Sequence, residues 1–290
     1  MAEHLVPIAA AAARIRTDDA AALEKQRTLL SSLRTLDSLL IAFSGGADSA
    51  YLAWASHSAL GERALSITAL SASFSQHDRQ QAAEFVRAAG VRHEFIETHE
   101  FENPEYIANG ADRCYHCKDE LFDRMESLAQ ERGFSAIAYG INADDTHDFR
   151  PGNRAAHEHR ILAPLLDAAF SKAEIRLLSR RAGLPTWDRP ASACLSSRIP
   201  YGIPVTPALL SQVEHAEAAL RKLGFRQFRV RAHGELARIE LAPDELSRGL
   251  QSEMAEKIAR GVKDAGFAFV TIDLEGYRQG SLNSLLKPKD

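Results

Sequence analysis

Cysteine is scarce in this chain, with three among 290 residues, an odd count that argues against a disulfide framework. The thiols are therefore read as reactive or metal-bound groups. No stretch reaches the ~20 consecutive apolar residues of a membrane span, which speaks against a helical membrane protein. Excess positive charge is missing too: 35 Lys and Arg face 39 Asp and Glu, and the net charge of −4 disfavours broad capture of nucleic acid or an anionic membrane. Small-molecule substrates suit that balance better. Internal repeats and low-complexity tracts are absent, apart from the short alanine run Ala9 to Ala13. Glu3 and His4 stand where a signal peptide carries Lys or Arg, and Pro7 interrupts the apolar run. The expectation is a cytoplasmic protein whose residues 1–19 form a loose leader.

What is present is ordinary globular material, 45% apolar and 26% charged, in a length that suggests one large core and a smaller one. Period-two apolar runs at Leu39–Phe43, Ala64–Leu70, His93–Thr98 and Ala136–Tyr139 alternate with helical patterns near 48–59, 78–89 and 117–131. That alternation predicts an α/β fold with a parallel sheet, helices on both faces and a ligand site at the carboxyl ends of the strands. Ser171 and Glu174 have the spacing of a capping box, opening a helix to about Ala182 that Gly183 and Pro185 close. Residues 184–205 carry four prolines and several serines and read as a linker or ordered loop. The boundary falls there, giving a larger domain over 20–200 and a small α+β domain over 201–290. The small domain is expected to hold helices from Pro207 to Leu223 and Asp244 to Val262, with strands Phe225–Ala232, Leu236–Leu241 and Phe267–Leu274.

The segment Leu39 to Ser49 runs an apolar strand into two glycines and then into a helix start. Gly45 and Gly46 can turn successive N–H groups toward one anion, and Ser44 and Ser49 add hydroxyl donors at the positive end of the helix. No Gly-Lys-Ser/Thr follows, so the loop is not a Walker A motif. The spelling SGGxDS instead resembles the pyrophosphate loop (PP-loop) of ATP-cleaving adenylyltransferases, the superfamily of NAD and GMP synthetases. Asp48 is the candidate ligand for a Mg²⁺ bridging the phosphates, with helix capping as its plainer role.

Cys114 and Cys117 lie within one turn just before the helix expected from Lys118, where the positive helix end and nearby cations favour thiolates. Cys194 sits in the 190–198 loop, and folding of that loop over the strand ends would bring the sulfurs together. Such a trio suits a four-iron, four-sulfur cluster with one iron open to an outside ligand. A redox pair, or zinc with His116 as fourth ligand, is the alternative.

FSGGADS, RCYHCK, YGINADD, the RPG run at 150–152, ACLSSRIPYG and RVRAHGELARIE together span most of residues 38–241. On these stretches the chain resembles the LarE family of ATP-dependent sulfur transferases of nickel-pincer cofactor synthesis. The resemblance implies a PP-loop (adenine nucleotide alpha hydrolase-like) domain that adenylates a carboxylate of pyridinium dicarboxylic acid mononucleotide with ATP and Mg²⁺, delivers sulfur and releases AMP. It also suggests a homo-oligomer. Family members with only the equivalent of Cys194 give up its sulfur in a single turnover, whereas those with the added CxxC resemble cluster-dependent thiolases. Cys114 and Cys117 place this chain with the second kind, and the sulfide donor is not read from the sequence. A tRNA thiolase would share the loop, the cysteines and the adenylation, but the net acidity and lack of a basic RNA-binding module oppose it.

Asn142, Asp144 and Asp145 follow the fourth strand through Gly140 and are candidates for substrate or magnesium, against a solvated acidic turn. Lys172 is a candidate for ATP phosphate, against an exposed helix lysine. Arg229 and Arg231 leave one face of a strand and match phosphate oxygens, with Ser197 or Arg198 from the cysteine loop as helpers. Arg238 and Glu240 read as a salt-bridged support.

Overall fold

A computed structural model describes residues 8–147, 151–190, 193–278 and 280–281. In chain order the elements are α1 (Ile8–Arg34), β1 (Leu39–Ala42), α2 (Ala47–Leu60), β2 (Ala64–Leu70), α3 (Gln76–Ala89), β3 (His93–Glu97), α4 (Pro104–Ile107), α5 (Arg113–Arg132), β4 (Ala136–Tyr139), α6 (Gly152–Glu158), α7 (Pro164–Asp167) and α8 (Lys172–Arg181). The remainder comprises α9 (Pro207–Lys222), β5 (Phe228–His233), β6 (Leu236–Leu241), α10 (Pro243–Gly249), α11 (Ser252–Asp264) and β7 (Phe269–Ile272). Since α1 begins at Ile8, part of the stretch read as a leader is helical. Among the described residues, no helix is long and apolar enough to cross a membrane.

The first four strands form a parallel sheet in the order β3-β2-β1-β4, with Leu39 paired to Ala64 on one side and Ala136 on the other. Strand β1 is buried on both faces, and its side chains divide by parity. Leu39, Ile41 and Phe43 enter a core with α1, α2 and α8, while Leu40 and Ala42 enter a second core with α5 and α6. This is the PP-loop α/β architecture that the sequence predicts. The Ser171–Glu174 capping box of α8 is formed in both directions.

Strands β5, β6 and β7 make a separate three-stranded sheet, antiparallel between β5 and β6 and parallel between β6 and β7, covered by α9 and α11. Leu195, Ile199 and Val205 contribute their side chains to this small core, so the segment carrying Cys194 is anchored on the smaller unit. The single helix expected over 244–262 is two helices, because extended backbone at Gln251 interrupts it.

Candidate active site

Strand β1 delivers the chain into the loop 44–49, where Gly45 takes φ +78° and thereby needs glycine. The Ser49 hydroxyl lies 3.1 Å from the Ser44 hydroxyl and donates to the Gly46 carbonyl at 3.1 Å, so two side chains brace the turn from within. The N-cap of α2 is Gly46, with no side-chain cap, which corrects the reading of Asp48 as the cap: Asp48 lies inside the first turn. Gly140, at the end of β4, lies against this turn so closely that an added Cβ would sit 2.7 Å from the Ser49 nitrogen. From the other side, Arg189 donates to the Gly45 carbonyl and is itself held by Arg176, which donates to the Arg189 carbonyl at 2.7 Å.

The cysteine pair is inside α5, which begins at Arg113, five residues earlier than expected; Cys114 and Cys117 therefore share one helical face. Three contacts bring the Cys194 loop to that helix end. Asn109, fully buried with φ +57°, donates from Nδ2 to the carbonyls of Pro200 and Ile203, each at 2.8 Å. Arg113 bridges the Asn109 side chain and the Ser196 carbonyl, the latter at 2.8 Å, and the Tyr106 hydroxyl meets the Ser196 hydroxyl at 2.7 Å. The Leu195 amide adds a bond of 2.9 Å to the Ser73 carbonyl, past the end of β2.

Two cavities result. One of about 150 Å³ lies at the carboxyl ends of β1, β2 and β3, with apolar walls such as Phe43, Ile67 and Phe74 and a polar end at Ser73 and Glu100. The other, about 570 Å³, reaches from Ser44, Ser49 and Gly140 to Arg229 and Arg231 of the small sheet. Both are lined by Ala42, Ser44, Cys117, Lys118, Ala193 and Cys194, and Cys114 lines the larger one alone. The three thiols and the glycine loop thus share one continuous site. Burial pushes the Cys117 thiol up to about 12, and the neighbouring Glu100 and cysteine charges add to this against Lys118.

Arg231 donates to the Ser197 carbonyl at 2.8 Å and to the fully buried Glu240 at 2.7 Å. Arg238 holds the other Glu240 oxygen at 3.2 Å and Asp273 at 2.6 Å, which is the salt-bridged support that the sequence suggests. Arg229 lies over the Tyr277 ring at 5.0 Å. Ser197 lines the larger cavity and donates to the Cys194 carbonyl at 2.7 Å.

Several expected site residues face elsewhere. Arg198 turns into the small core and forks onto Glu217 at 2.9 and 3.1 Å, while its remaining nitrogen donates to the carbonyls of Ala193 and Cys194. It clamps the cysteine loop and does not line either cavity. Burial works against the Glu217 charge, and the Arg198 guanidinium overcomes it, holding that carboxyl below its usual range. His116 points its Nε2 toward Asp112 at 3.5 Å and lines neither cavity, which removes it from the thiol set. Asn142 and Asp145 are buried in their own turn, where the Asn142 side chain accepts from the amides of Asp144 and Asp145. The Lys172 ammonium meets Asp145 at 2.8 Å, and its amide donates to Asp144. These four residues brace the turn after β4 rather than lining either cavity. Of the RPG run, Arg150 lies outside the described residues.

Asn109, Arg113 and Arg189, which sequence reasoning passed over, position the site. The Asn-Gly pair at 109–110 is a local signal for a left-handed backbone, whereas nothing local marks Arg189. Away from the cavities, Asp123, Glu126 and His159 are, among the described residues, the group whose ligand atoms all lie within 4.8 Å of one another. The three cysteine sulfurs do not all lie within that distance of one another.

A parallel sheet with an SGGxDS loop at its carboxyl edge, and a second unit roofing it, defines a PP-loop α/β protein. No family model matches the chain. A Synechocystis protein named uncharacterized protein slr1717 is 43% identical over 251 residues, 87% of this chain and 94% of that protein. The pyridinium-3,5-bisthiocarboxylic acid mononucleotide synthase of Lactiplantibacillus plantarum is 33% identical over 264 residues, 90% of this chain and 95% of its own. The chain belongs to the family of that synthase, the LarE family.

Proposed function

We propose that this chain is an ATP-dependent sulfur transferase that converts a carboxylate of pyridinium dicarboxylic acid mononucleotide into a thiocarboxylate. The observation that carries the reading is the shared lining of the two cavities, with Ser44 of the phosphate loop beside Cys117 and Cys194. The relative's name, which is that of a bisthiocarboxylic acid mononucleotide synthase, supports the substrate. ATP takes the smaller cavity, with its leaving pyrophosphate on the amides and hydroxyls of residues 44–49 and Asp48 as the magnesium ligand. Arg229 and Arg231 take the phosphate of the substrate nucleotide in the larger cavity. A substrate carboxylate oxygen attacks the α-phosphorus and pyrophosphate leaves. Sulfur then bonds to the carbonyl carbon and AMP leaves with the oxygen.

Three thiols on one cavity, not all within 4.8 Å of one another, suit a four-iron, four-sulfur cluster held by Cys114, Cys117 and Cys194. Such a cluster, when bound, supplies an open iron site for sulfide. The chain's own part is to hold Cys194 at the passage by the Arg113, Tyr106 and Arg198 contacts.

Incubation of the anaerobically purified protein with Mg-ATP, sulfide and the dicarboxylic mononucleotide tests the reading. Mass spectrometry should find the sulfur-for-oxygen product in step with AMP; product without ATP, or none at all, refutes it. Iron and labile-sulfide content should collapse in Cys114→Ala. An intact Cys194 after turnover supports repeated use, and dehydroalanine there supports the sacrificial form.

A further inference from the structure

Of the six residues that line both cavities, one is charged: Lys118, the residue after Cys117 in α5. Among the described residues no carboxylate forms an ion pair with it, although Glu100 lines the same smaller cavity. Its stem is seated by a glycine. A Cβ on Gly152 would lie 2.9 Å from Lys118 Cγ and 3.3 Å from the Cys114 carbonyl, so α6 can start this close to α5 only without a side chain there. Among the described residues, Lys118 thus presents a cation without an ion-pair partner on the wall that the two cavities share.

We propose that Lys118 is a catalytic residue of adenylation, bridging the substrate carboxylate and the α-phosphate. This rests on the function proposed above. Two anions must meet for the carboxylate oxygen to bond to the α-phosphorus, and they repel unless a cation lies between them. As that bond forms, the bond from the α-phosphorus to the oxygen bridging to the β-phosphorus breaks, and its electron pair leaves on pyrophosphate. Lys118 offsets the charge on the equatorial oxygens and transfers no proton. Loop 44–49 and Arg229 with Arg231 hold the two ends of this array, and neither lines both cavities except through Ser44.

The test is exchange of labelled pyrophosphate into ATP, driven by the dicarboxylic mononucleotide, which reports adenylation without sulfur transfer. Lys118→Met keeps the stem on Gly152 and removes the charge. We expect exchange kcat to fall at least 100-fold with KM for ATP within about threefold, and Lys118→Arg to recover at least a tenth of the lost rate. Unchanged thermal unfolding of Lys118→Met shows that packing is not the cause. Exchange in Lys118→Met within threefold of wild type, while wild type exchanges, overturns the role of Lys118 alone. Absence of exchange in wild type overturns the adenylation reading and this role with it.

Discussion

Glu217 is among the most costly side chains to disturb, because it is buried and satisfies both the Arg198 fork and the Val230 amide at 3.1 Å. Glu217→Ala would strand a buried guanidinium, and such broken pairs cost about 3–5 kcal/mol. Urea unfolding should show a loss of that order, and Cys194 should label faster with iodoacetamide, since Arg198 also grips the Ala193 and Cys194 carbonyls. A stable variant with unaltered labelling would remove the clamp from the account. His93 gives a pH dependence of opposite origin. Burial, against the weaker pull of Glu94, lowers it to about 4 from an ordinary 6.5. The unfolded chain therefore takes up the proton first as pH falls, and this contribution to stability, complete above about 6.5, drains away toward pH 4. With solvent screening the loss is roughly 1–2 kcal/mol. His93→Phe should flatten that part of the pH profile; an equally steep profile in the variant would assign the effect to other groups.

At the scale of elements, the site is an agreement between three turns: the loop after β1, the start of α5 and the segment around Cys194. Asn109 is the joint between the last two. Its side chain binds two carbonyls while its backbone sits at positive φ, so Asn109→Gly keeps the backbone and loses the staple, whereas Asn109→Ala strains both. Stability should fall by about 1–3 kcal/mol in Asn109→Gly and further in Asn109→Ala, measured by urea unfolding. Equal losses would mean that backbone strain contributes nothing. The elements themselves were open to reading from the chain because their signals are local. Period-two apolar residues mark Leu39–Phe43, the Ser171–Glu174 box marks α8, and two glycines after a strand mark the turn at 44–49. Arg198 and Lys172 were misread for the opposite reason. An arginine or lysine near a motif carries no record of its counter-ion, and Glu217 and Asp145 become visible only once the chain is folded. His116 is similar: its helix starts at Arg113, which sets the imidazole against Asp112, and it lines neither cavity. Arg189 reaches Gly45 across 144 positions of sequence, beyond any spacing rule.

For the molecule as a whole, the two sheets do different work on one site. The parallel sheet supplies a rigid floor whose strand ends open into the smaller cavity, and the small sheet supplies Arg229 and Arg231 and anchors the Cys194 segment through Leu195, Ile199 and Val205. The thiols are consequently not equivalent toward a nucleotide. Cys117 and Cys194 line both cavities, while Cys114 lines the larger one alone. A nucleotide in the smaller cavity should therefore shield Cys194 and leave Cys114 open. In metal-free, reduced protein, a saturating non-hydrolysable ATP analogue is expected to slow iodoacetamide labelling of Cys194 by at least tenfold and of Cys114 by less than twofold, read by peptide mass spectrometry. Cys117, with its thiol pushed up to about 12, should label slowly in either state. The reversed pattern, Cys114 protected and Cys194 open, would put the nucleotide in the larger cavity and exchange the roles of the two chambers. Equal protection of both would imply closure of the whole roof, with the small unit moving as one body over the phosphate loop.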